Sequence, residues 1–331
     1  MSRVVLGFSG GVDSAVSAVL LKKAGHDVLG VYLDNTSARE RETAISAAAL
    51  LGIDLEVIDV RDELEEKVCR PFTNAYLSGR TPNPCILCNP EVKFKNLIAA
   101  ADRAGAEYIA TGHYARVEKG MIFKGRSGND QSYMLCRLKR EQARRLILPL
   151  GDFEKAQVRT MAAEFSLPSA NKPDSMEICF VPDKDYIAWL SRRTELPGSG
   201  DLLFRGEVIG QHDGIFRYTV GQRLPGLIDG RKVYISRIDA KANTVELALW
   251  EELFRYEVRA EDFNWLTDEP KVPLRAGVRV RHTKWENPPC TVYPENGGVK
   301  IVCDEPVRAP APGQSAVLYD GDRLLGGGFI L

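Results

Sequence analysis

Arg3-Val-Val-Leu-Gly-Phe-Ser9-Gly10-Gly11-Val12-Asp13-Ser14 is the stretch on which the fold turns. Arg3–Phe8 reads as a short apolar strand. It runs straight into Ser9–Ser14, and Val12–Ala24 then carries apolar residues at helical spacing, with Gly25 as the stop. A strand that turns on glycines into a helix suits an anion. Glycines without Cβ let backbone N–H groups close around it, and the helix start adds unpaired donors and the positive end of its dipole. Ser9 and Ser14 add hydroxyl donors. Asp13 is the odd member, because a carboxylate repels phosphate; its use would be to hold a Mg²⁺ that the phosphates share. The same residues also read as a Gly-rich turn with Ser and Asp as helix caps. Their position directly after the first strand favours the phosphate loop.

The alternation continues outward. Val28–Leu33 is a strand, Thr36–Leu51 a helix ended by Gly52, and Leu55–Ile58 a third strand. Asp62 to about Ser78 is helical with a kink at Pro71, Lys93–Ala104 is another helix, and Tyr108–Ala110 a fourth strand. This is the pattern of an α/β fold with a parallel sheet covered on both faces, whose ligands bind beyond the carboxyl ends of the strands. Asp183–Arg193 reads as the last helix. From about Asp201 the chain changes to short period-2 runs such as Val233-Tyr-Ile-Ser, Thr244-Val-Glu-Leu, Val278-Arg-Val-Arg, Val299-Lys-Ile-Val and Ala316-Val-Leu-Tyr. Asn296-Gly297 and Asp320-Gly321 are hairpin-type turns, so this half reads as an all-β module ending in a small barrel. The expected organisation is an α/β domain over 1–195, a small central β-rich domain over 196–255 and a C-terminal β-barrel over 256–331.

The chain has 331 residues, a formal net charge of −1, 44% hydrophobic residues and seven cysteines. That length fits two or three domains, and an ordinary hydrophobic share excludes a disordered chain. No window approaches the ~18 consecutive apolar residues of a transmembrane helix, and the N-terminus does not read as a secretory leader. The expectation is a cytoplasmic protein with no membrane partner. An odd cysteine count cannot be all disulfide, so the thiols are to be read for metal or redox work. Near-neutral charge argues against non-specific coating of nucleic acid but leaves room for local basic faces. One stretch, Arg137–Arg145, has five positive charges and one negative. It reads as a solvated helix face or as a track for a phosphate backbone. Gly120–Ser127 nearly spells a Walker loop, but its bulky apolar interior suits a hairpin strand. Any nucleotide site here therefore lacks a Walker lysine.

Cys85-Ile-Leu-Cys88 lies among Pro82, Pro84 and Pro90, which should hold an extended, rigid loop. A zinc half-site needs a second pair, and a thioredoxin-like motif opens a helix after a strand; neither context is present. Cys179 is the natural third member. Cys69, Cys136, Cys290 and Cys303 sit in apolar or strand contexts, where buried structural thiols are the default.

The SGGVDS loop matches the pyrophosphate (PP) loop of the ATP pyrophosphatases, an adenine nucleotide alpha hydrolase-like fold that activates a carbonyl oxygen as an adenylate. Within that superfamily the chain resembles the tRNA-specific 2-thiouridylases, which modify the wobble uridine of certain tRNAs. The matching stretches are GRTPNPCILCN (Gly79–Asn89), VKF (Val92–Phe94), ATGHYAR (Ala110–Arg116), DQSYML (Asp130–Leu135), LPLGDFEKAQVR (Leu148–Arg159) and NKPDSMEICFVP (Asn171–Pro182). They continue with YTVGQRLPGL (Tyr218–Leu227), PGQSAVLYDGD (Pro312–Asp322) and LGGGFI (Leu325–Ile330), covering the chain end to end in family order. The resemblance implies ATP and Mg²⁺ as cofactors. ATP would lie on Gly7, Phe8, Ser9, Gly10, Gly11, Val12, Asp13 and Ser14, with Leu33 lining the adenine and Gly112 against the nucleotide. It implies tRNA as a partner, with Asn83, Pro84 and Cys85 around a flipped target base. Contacts to tRNA would come from His113, Asn129, Asp130, Gln131, Arg281, His282 and Gln314. Cys179 matches the sulfur-carrying cysteine and Cys88 its partner nucleophile, which may end disulfide-bonded to it. A sulfur donor, either a cysteine desulfurase or relay protein or inorganic sulfide, is a further partner.

This sequence departs from the family pattern in four places. Many members carry Asp where Cys85 stands. With a third cysteine, Cys85, Cys88 and Cys179 would instead hold a 4Fe-4S cluster with one iron open to sulfide, so persulfide and cluster chemistry are both open. Asn129 stands where the family often has Lys, His282 stands where it has an aromatic residue, and the acidic loop after the second strand is shortened. Two other function classes share parts of this signature. An amidating ATP pyrophosphatase would use the loop and have no use for the three cysteines; a non-catalytic RNA-binding sulfur carrier would use the thiols and not the loop.

Overall fold

The computed structural model describes residues 2–35, 38–126, 128–170, 178–181, 184–282 and 287–331. The chain forms two compact units. One comprises Met1–Val68, Cys85–Phe180 and Asp322–Leu325; the other comprises Cys69–Pro84, Val181–Gly321 and Gly326–Leu331.

The first unit is built on strands β1 (Arg3–Gly7), β2 (Asp27–Asp34), β3 (Asp54–Asp59), β4 (Tyr108–Ala110), a hairpin of β5 (Ala115–Glu118) and β6 (Met121–Lys124), and β7 (Leu146–Ile147). The sheet order is β3-β2-β1-β4-β7, and all four pairings are parallel. Val4, Val5 and Leu6 of β1 are fully buried, as a central strand with both faces covered requires. Successive strands from β1 to β3 step one way across the sheet, and β4 lies on the other side of β1. The sheet therefore reverses between β1 and β4, which is where such folds open a crevice. The helix Val12–Lys23 buries Val12, Ala15, Val16, Ala18 and Leu21 against the sheet together with Val158 and Ala162. The helix Phe94–Arg103 buries Phe94, Leu97, Ala100 and Ala101, a single apolar stripe.

The second unit carries two β structures. Five strands lie in the order Arg223–Ile228, Arg231–Asp239, Thr244–Leu249, Gly200–Phe204, Glu207–His212. Their core holds Val233, Ile235, Val245 and Leu247. After them, Phe254–Trp265 pairs with both Gly298–Arg308 and Arg323–Ile330, which closes a six-stranded barrel. The Asn296-Gly297 turn joins Pro289–Glu295 to Gly298–Arg308, as its dipeptide predicts.

One local expectation is refined and one corrected. The helix after β3 continues past Pro71, with its irregularity just before the proline. It runs Arg61–Leu64, widens into a π-turn at Glu65–Cys69, and restarts as Arg70–Leu77 with Pro71 in its first turn. A proline is tolerated there because its missing N–H is one of the unpaired ones, and the wider turn before it takes up the ring. The Cys85–Cys88 pair is not in an extended loop. Pro84–Cys88 is a short helix followed by a π-turn, Asn89–Lys93. Pro84 stands at the first helical position, where its fixed φ starts a helix rather than preventing one. The Walker look-alike is a hairpin: β5 and β6 pair antiparallel, with Lys119 and Gly120 at φ 51° and 75° in the turn.

Leu97 is fully buried and lies beneath Gly7, where an added Cβ would come within 3.2 Å of it. Leu97→Ala should therefore lower unfolding free energy by about 2–5 kcal/mol, read by urea titration.

Candidate active site

The loop Ser9–Ser14 leaves the carboxyl end of β1, and its helix begins at Val12 with Gly11 as N-cap and no side-chain cap bond. Capping is therefore not what Ser and Asp do here. Ser14 Oγ donates to the Gly11 carbonyl at 3.1 Å and lies 3.3 Å from Ser9 Oγ, while the Gly11 N–H donates to Ser9 Oγ at 3.4 Å. Gly10 has φ +71°, and a Cβ there would lie 2.9 Å from the Ala44 Cα. No other residue fits that backbone at that distance. Gly11 has no side chain with which to cap the first turn, and a glycine-rich helix start of this kind fits the phosphates of a nucleotide. Phe8 is buried and its N–H donates to the Val31 carbonyl at 2.8 Å, so the strand end is fixed just before the loop. Leu33 is half-buried near the carboxyl end of the neighbouring β2, opposite Ile58.

The carboxyl end of β4 supplies the other wall. A Cβ on Gly112 would lie 3.0 Å from the Asp13 Cβ, so the turn after β4 packs against the helix start through that glycine. Asp13 itself is engaged. Lys155 Nζ lies 2.8 Å from both of its carboxylate oxygens, and the Tyr114 hydroxyl donates to Oδ1 at 2.7 Å. Neither Lys155 nor Tyr114 was given a role by sequence reasoning. Lys155 is 142 residues away, and the only signal was its place in the LPLGDFEKAQVR match.

His113 is stacked on Phe94, with ring centroids 5.9 Å apart, and its Nδ1 shares a 2.7 Å hydrogen bond with Thr111 Oγ1. Burial, and then the Lys93 ammonium, hold its imidazole well below the ordinary range. It is therefore neutral at pH 7, a hydrogen-bonding group rather than a cation.

Cys85 is exposed, Cys88 half-buried, and the Cys179 side chain reaches solvent; all three are free thiols. They are near enough to feel one another. Burial pushes the Cys88 thiol up to about 12; the Lys93 ammonium opposes this, and the Cys179 and Cys85 charges add to it. Burial raises Cys179 as well, then Cys85, against the Lys93 ammonium and a 3.5 Å hydrogen bond donated by Asn35 Nδ2. Lys93 and Asn35 are further residues that sequence reasoning missed. Among the described residues no group of three His, Cys, Asp or Glu side chains is gathered closely enough to hold a metal ion. Residues 171–177 of the motif before Cys179 lie outside the described residues.

Several expected tRNA contacts have their polar atoms in use within the chain. Asp130 accepts from the Gly125 and Ser132 N–H groups at 2.9 and 3.0 Å and from Ser132 Oγ at 3.0 Å. Gln131 Oε1 accepts from the Tyr114 N–H at 3.1 Å. Gln314 Nε2 donates to the Thr81 carbonyl at 3.0 Å, which leaves its Oε1 to accept elsewhere. The Arg281 guanidinium donates to the carbonyls of Ala309 and Val220. Asn129 and His282 are exposed, Asn83 is half-buried and Pro84 is buried. Within the basic run, Arg145 is turned inward onto Asp102 and the Ala106 and Glu107 carbonyls, while Arg144 is exposed.

Because a thiol alkylates as its thiolate, the raised Cys88 thiol should react with iodoacetamide about tenfold faster per pH unit from 7 to 9, without a plateau. Exposed Cys85 should react first throughout. Peptide mass spectrometry over a pH series reads both.

Residues 2–183 match the family described as tRNA methyl transferase HUP domain, residues 197–248 the tRNA methyl transferase PRC-barrel domain, and residues 255–330 the aminomethyltransferase beta-barrel domain. The chain is 40% identical to the tRNA-specific 2-thiouridylase MnmA of Syntrophotalea carbinolica over 99% of this chain and 98% of that one. It is 39% identical to the protein of the same name from Acetivibrio thermocellus, over 99% of both chains. With the Salinibacter ruber protein of that name the identity is 40%, over 99% of this chain and 94% of the relative. With three domains matched in order and full-length identity at this level, the chain belongs to the tRNA-specific 2-thiouridylase family.

Proposed function

We propose that this protein is a tRNA-uridine 2-sulfurtransferase: it converts the wobble uridine of tRNA to 2-thiouridine at the expense of ATP. The observation that carries the reading is the presence in one unit of an uncapped Gly-rich helix start and a set of neighbouring thiols, Cys88 and Cys179 among them. The relatives' shared name supports the substrate.

In this reading the first-turn amides of Val12–Lys23, with Ser9 and Ser14, hold the phosphates of ATP. Mg²⁺ accompanies the nucleotide and neutralises part of its charge. The uridine C2 oxygen attacks the α-phosphorus, and pyrophosphate leaves. Fixed loop amides aimed at the transferring phosphate dominate this step, since they need no reorganisation as charge develops. His113, neutral and fixed by Thr111, offers a hydrogen bond beside the loop rather than a charge.

The second half uses the thiols. Cys179 carries a terminal sulfur as a persulfide delivered by the donor. That sulfur attacks C2, and AMP departs with the former uridine oxygen. The Cys88 thiolate then attacks Cys179 Sγ, the S–S bond to the transferred sulfur breaks, and its electron pair completes the thiocarbonyl. A Cys88–Cys179 disulfide remains, and a cellular thiol reduces it. This cycle needs a reducing compartment, in keeping with a cytoplasmic enzyme. Cys85 has no step in it. In this reading Asn83, Pro84 and Cys85 border the extruded base, and the tRNA would meet Asn129, Asp130 and Gln131 of one unit and Arg281, His282 and Gln314 of the other.

Mass spectrometry of tRNA nucleosides after incubation with ATP and a persulfide donor tests this reading. The expected result is 2-thiouridine with one AMP formed per thiolation, lost in Cys179→Ser and Cys88→Ser and kept in Cys85→Ser without iron. Thiolation that survives Cys179→Ser, or needs iron and Cys85, would contradict the route. Activity retained with alanine at all three cysteines would instead point to amidation. Arg140→Glu combined with Arg144→Glu should weaken tRNA binding and flatten its salt dependence in filter-binding titrations; unchanged binding across salt would exclude the basic run from the interface.

A further inference from the structure

The phosphate loop has no lysine within it, and sequence reading assigned Asp13 to a metal ion instead. The structure arranges these charges differently. Lys155 is the first residue of the helix Lys155–Glu164, whose start is fixed by Glu154: its N–H donates to Gln157 Oε1 at 2.7 Å. That helix packs on Val12–Lys23 through Val158 and Ala162, so its first residue is carried to the mouth of the loop. There the ammonium lies 2.8 Å from both Asp13 oxygens. Its side chain is 19% exposed, and it sits 5.6 Å from the centroid of the buried Tyr114 ring. Tyr114 donates to the same carboxylate.

Two physical points follow. A lysine at the first position of a helix faces the positive end of that helix's dipole, so its own helix disfavours it. Its place is set by what it meets outside. The ammonium balances the one carboxylate, and two helices begin nearby, at Val12 and Lys155, whose dipoles leave the surroundings of the loop positive. A polyanion is the ligand that such a surplus fits. Second, both Asp13 oxygens already accept from Nζ, and Oδ1 from Tyr114 as well. As placed, this carboxylate does not fit a metal ion, which would have to sit against an ammonium of like charge.

We propose that Lys155 supplies the cation of the phosphate loop, making contact with the nucleotide's phosphates, and that Asp13 and Tyr114 are positioning residues that hold it there. The proposal rests on the reading that the loop binds ATP. It replaces the expected role of Asp13, which would then supply no ligand to a Mg²⁺ bound with the nucleotide. In the chemistry, an ammonium fixed beside the loop stabilises charge as pyrophosphate leaves.

Equilibrium binding of ATP to the full chain, in EDTA and over a Mg²⁺ series, tests this without recourse to turnover. Lys155→Ala should weaken ATP binding in EDTA by about tenfold or more, and Lys155→Arg should restore most of the loss. Binding of AMP, which lacks the β- and γ-phosphates, should change by less than that of ATP. Asp13→Asn should weaken ATP binding through the loosened ammonium yet leave the Mg²⁺ concentration for half-maximal binding unchanged. Thermal melts separate these effects from misfolding, and the arginine variant keeps the test open if the alanine variant is unstable. Wild-type ATP affinity in Lys155→Ala, or a marked rise in the Mg²⁺ requirement in Asp13→Asn, would overturn the proposal. Failure of the unmodified protein to bind ATP would overturn the nucleotide reading beneath it.

Discussion

The contact of Gly112 with Asp13 is the constraint from which the rest of the site follows. It packs the turn after β4 on the helix start that follows β1, beside two strands that pair through Leu6 and Ala110 where the sheet order reverses. A side chain at 112 would force the turn and the helix start apart. His113 follows Gly112 directly, stacked on Phe94. Tyr114, one residue further on, reaches back to Asp13. The helix that delivers Lys155 is then brought to the same carboxylate by its packing on Val12–Lys23. One glycine contact therefore lets the helix start, the Tyr114 hydroxyl and the Lys155 ammonium meet at Asp13.

The thiols stand under the opposite demand. Sulfur chemistry requires thiolates, and burial opposes them, raising both Cys88 and Cys179. The protein offsets this with Lys93, at the end of the π-turn that follows Cys88, and with the hydrogen bond from Asn35 to Cys179. The wider turn matters: it places Lys93 five residues after Cys88, the spacing at which a π-turn brings its ends together. A resting state with protonated thiols limits wasteful oxidation. A persulfide, more acidic than the thiol it replaces, would be the reactive form.

Much of this was legible in the sequence, for reasons that differ by element. Buried parallel strands such as Arg3–Gly7 announce themselves as apolar runs between glycines, and Asn296-Gly297 names its own turn. The helix at Pro84–Cys88 was not legible, because three prolines in nine residues suggest an extended loop until one is seen to occupy the first helical position. The loop Ser9–Ser14 was found from its composition and its place directly after the first strand. Lys155 and Asn35 were missed because their partners are 142 and 144 residues distant, and no periodicity reports such a pairing. Asp130, Gln131 and Arg281 show the converse. The family resemblance implies contacts with RNA for them, yet much of their bonding capacity is spent on nearby backbone, which only coordinates reveal.

The central claim is that ATP is used to make the uridine C2 oxygen a leaving group. An isotope measurement addresses it most directly. Transfer RNA carrying ¹⁸O at C2 of the wobble uridine, incubated with the enzyme, ATP and a sulfur donor, should yield ¹⁸O-labelled AMP and unlabelled pyrophosphate, in proportion to the 2-thiouridine formed. Unlabelled AMP alongside full thiolation would contradict adenylation at that oxygen.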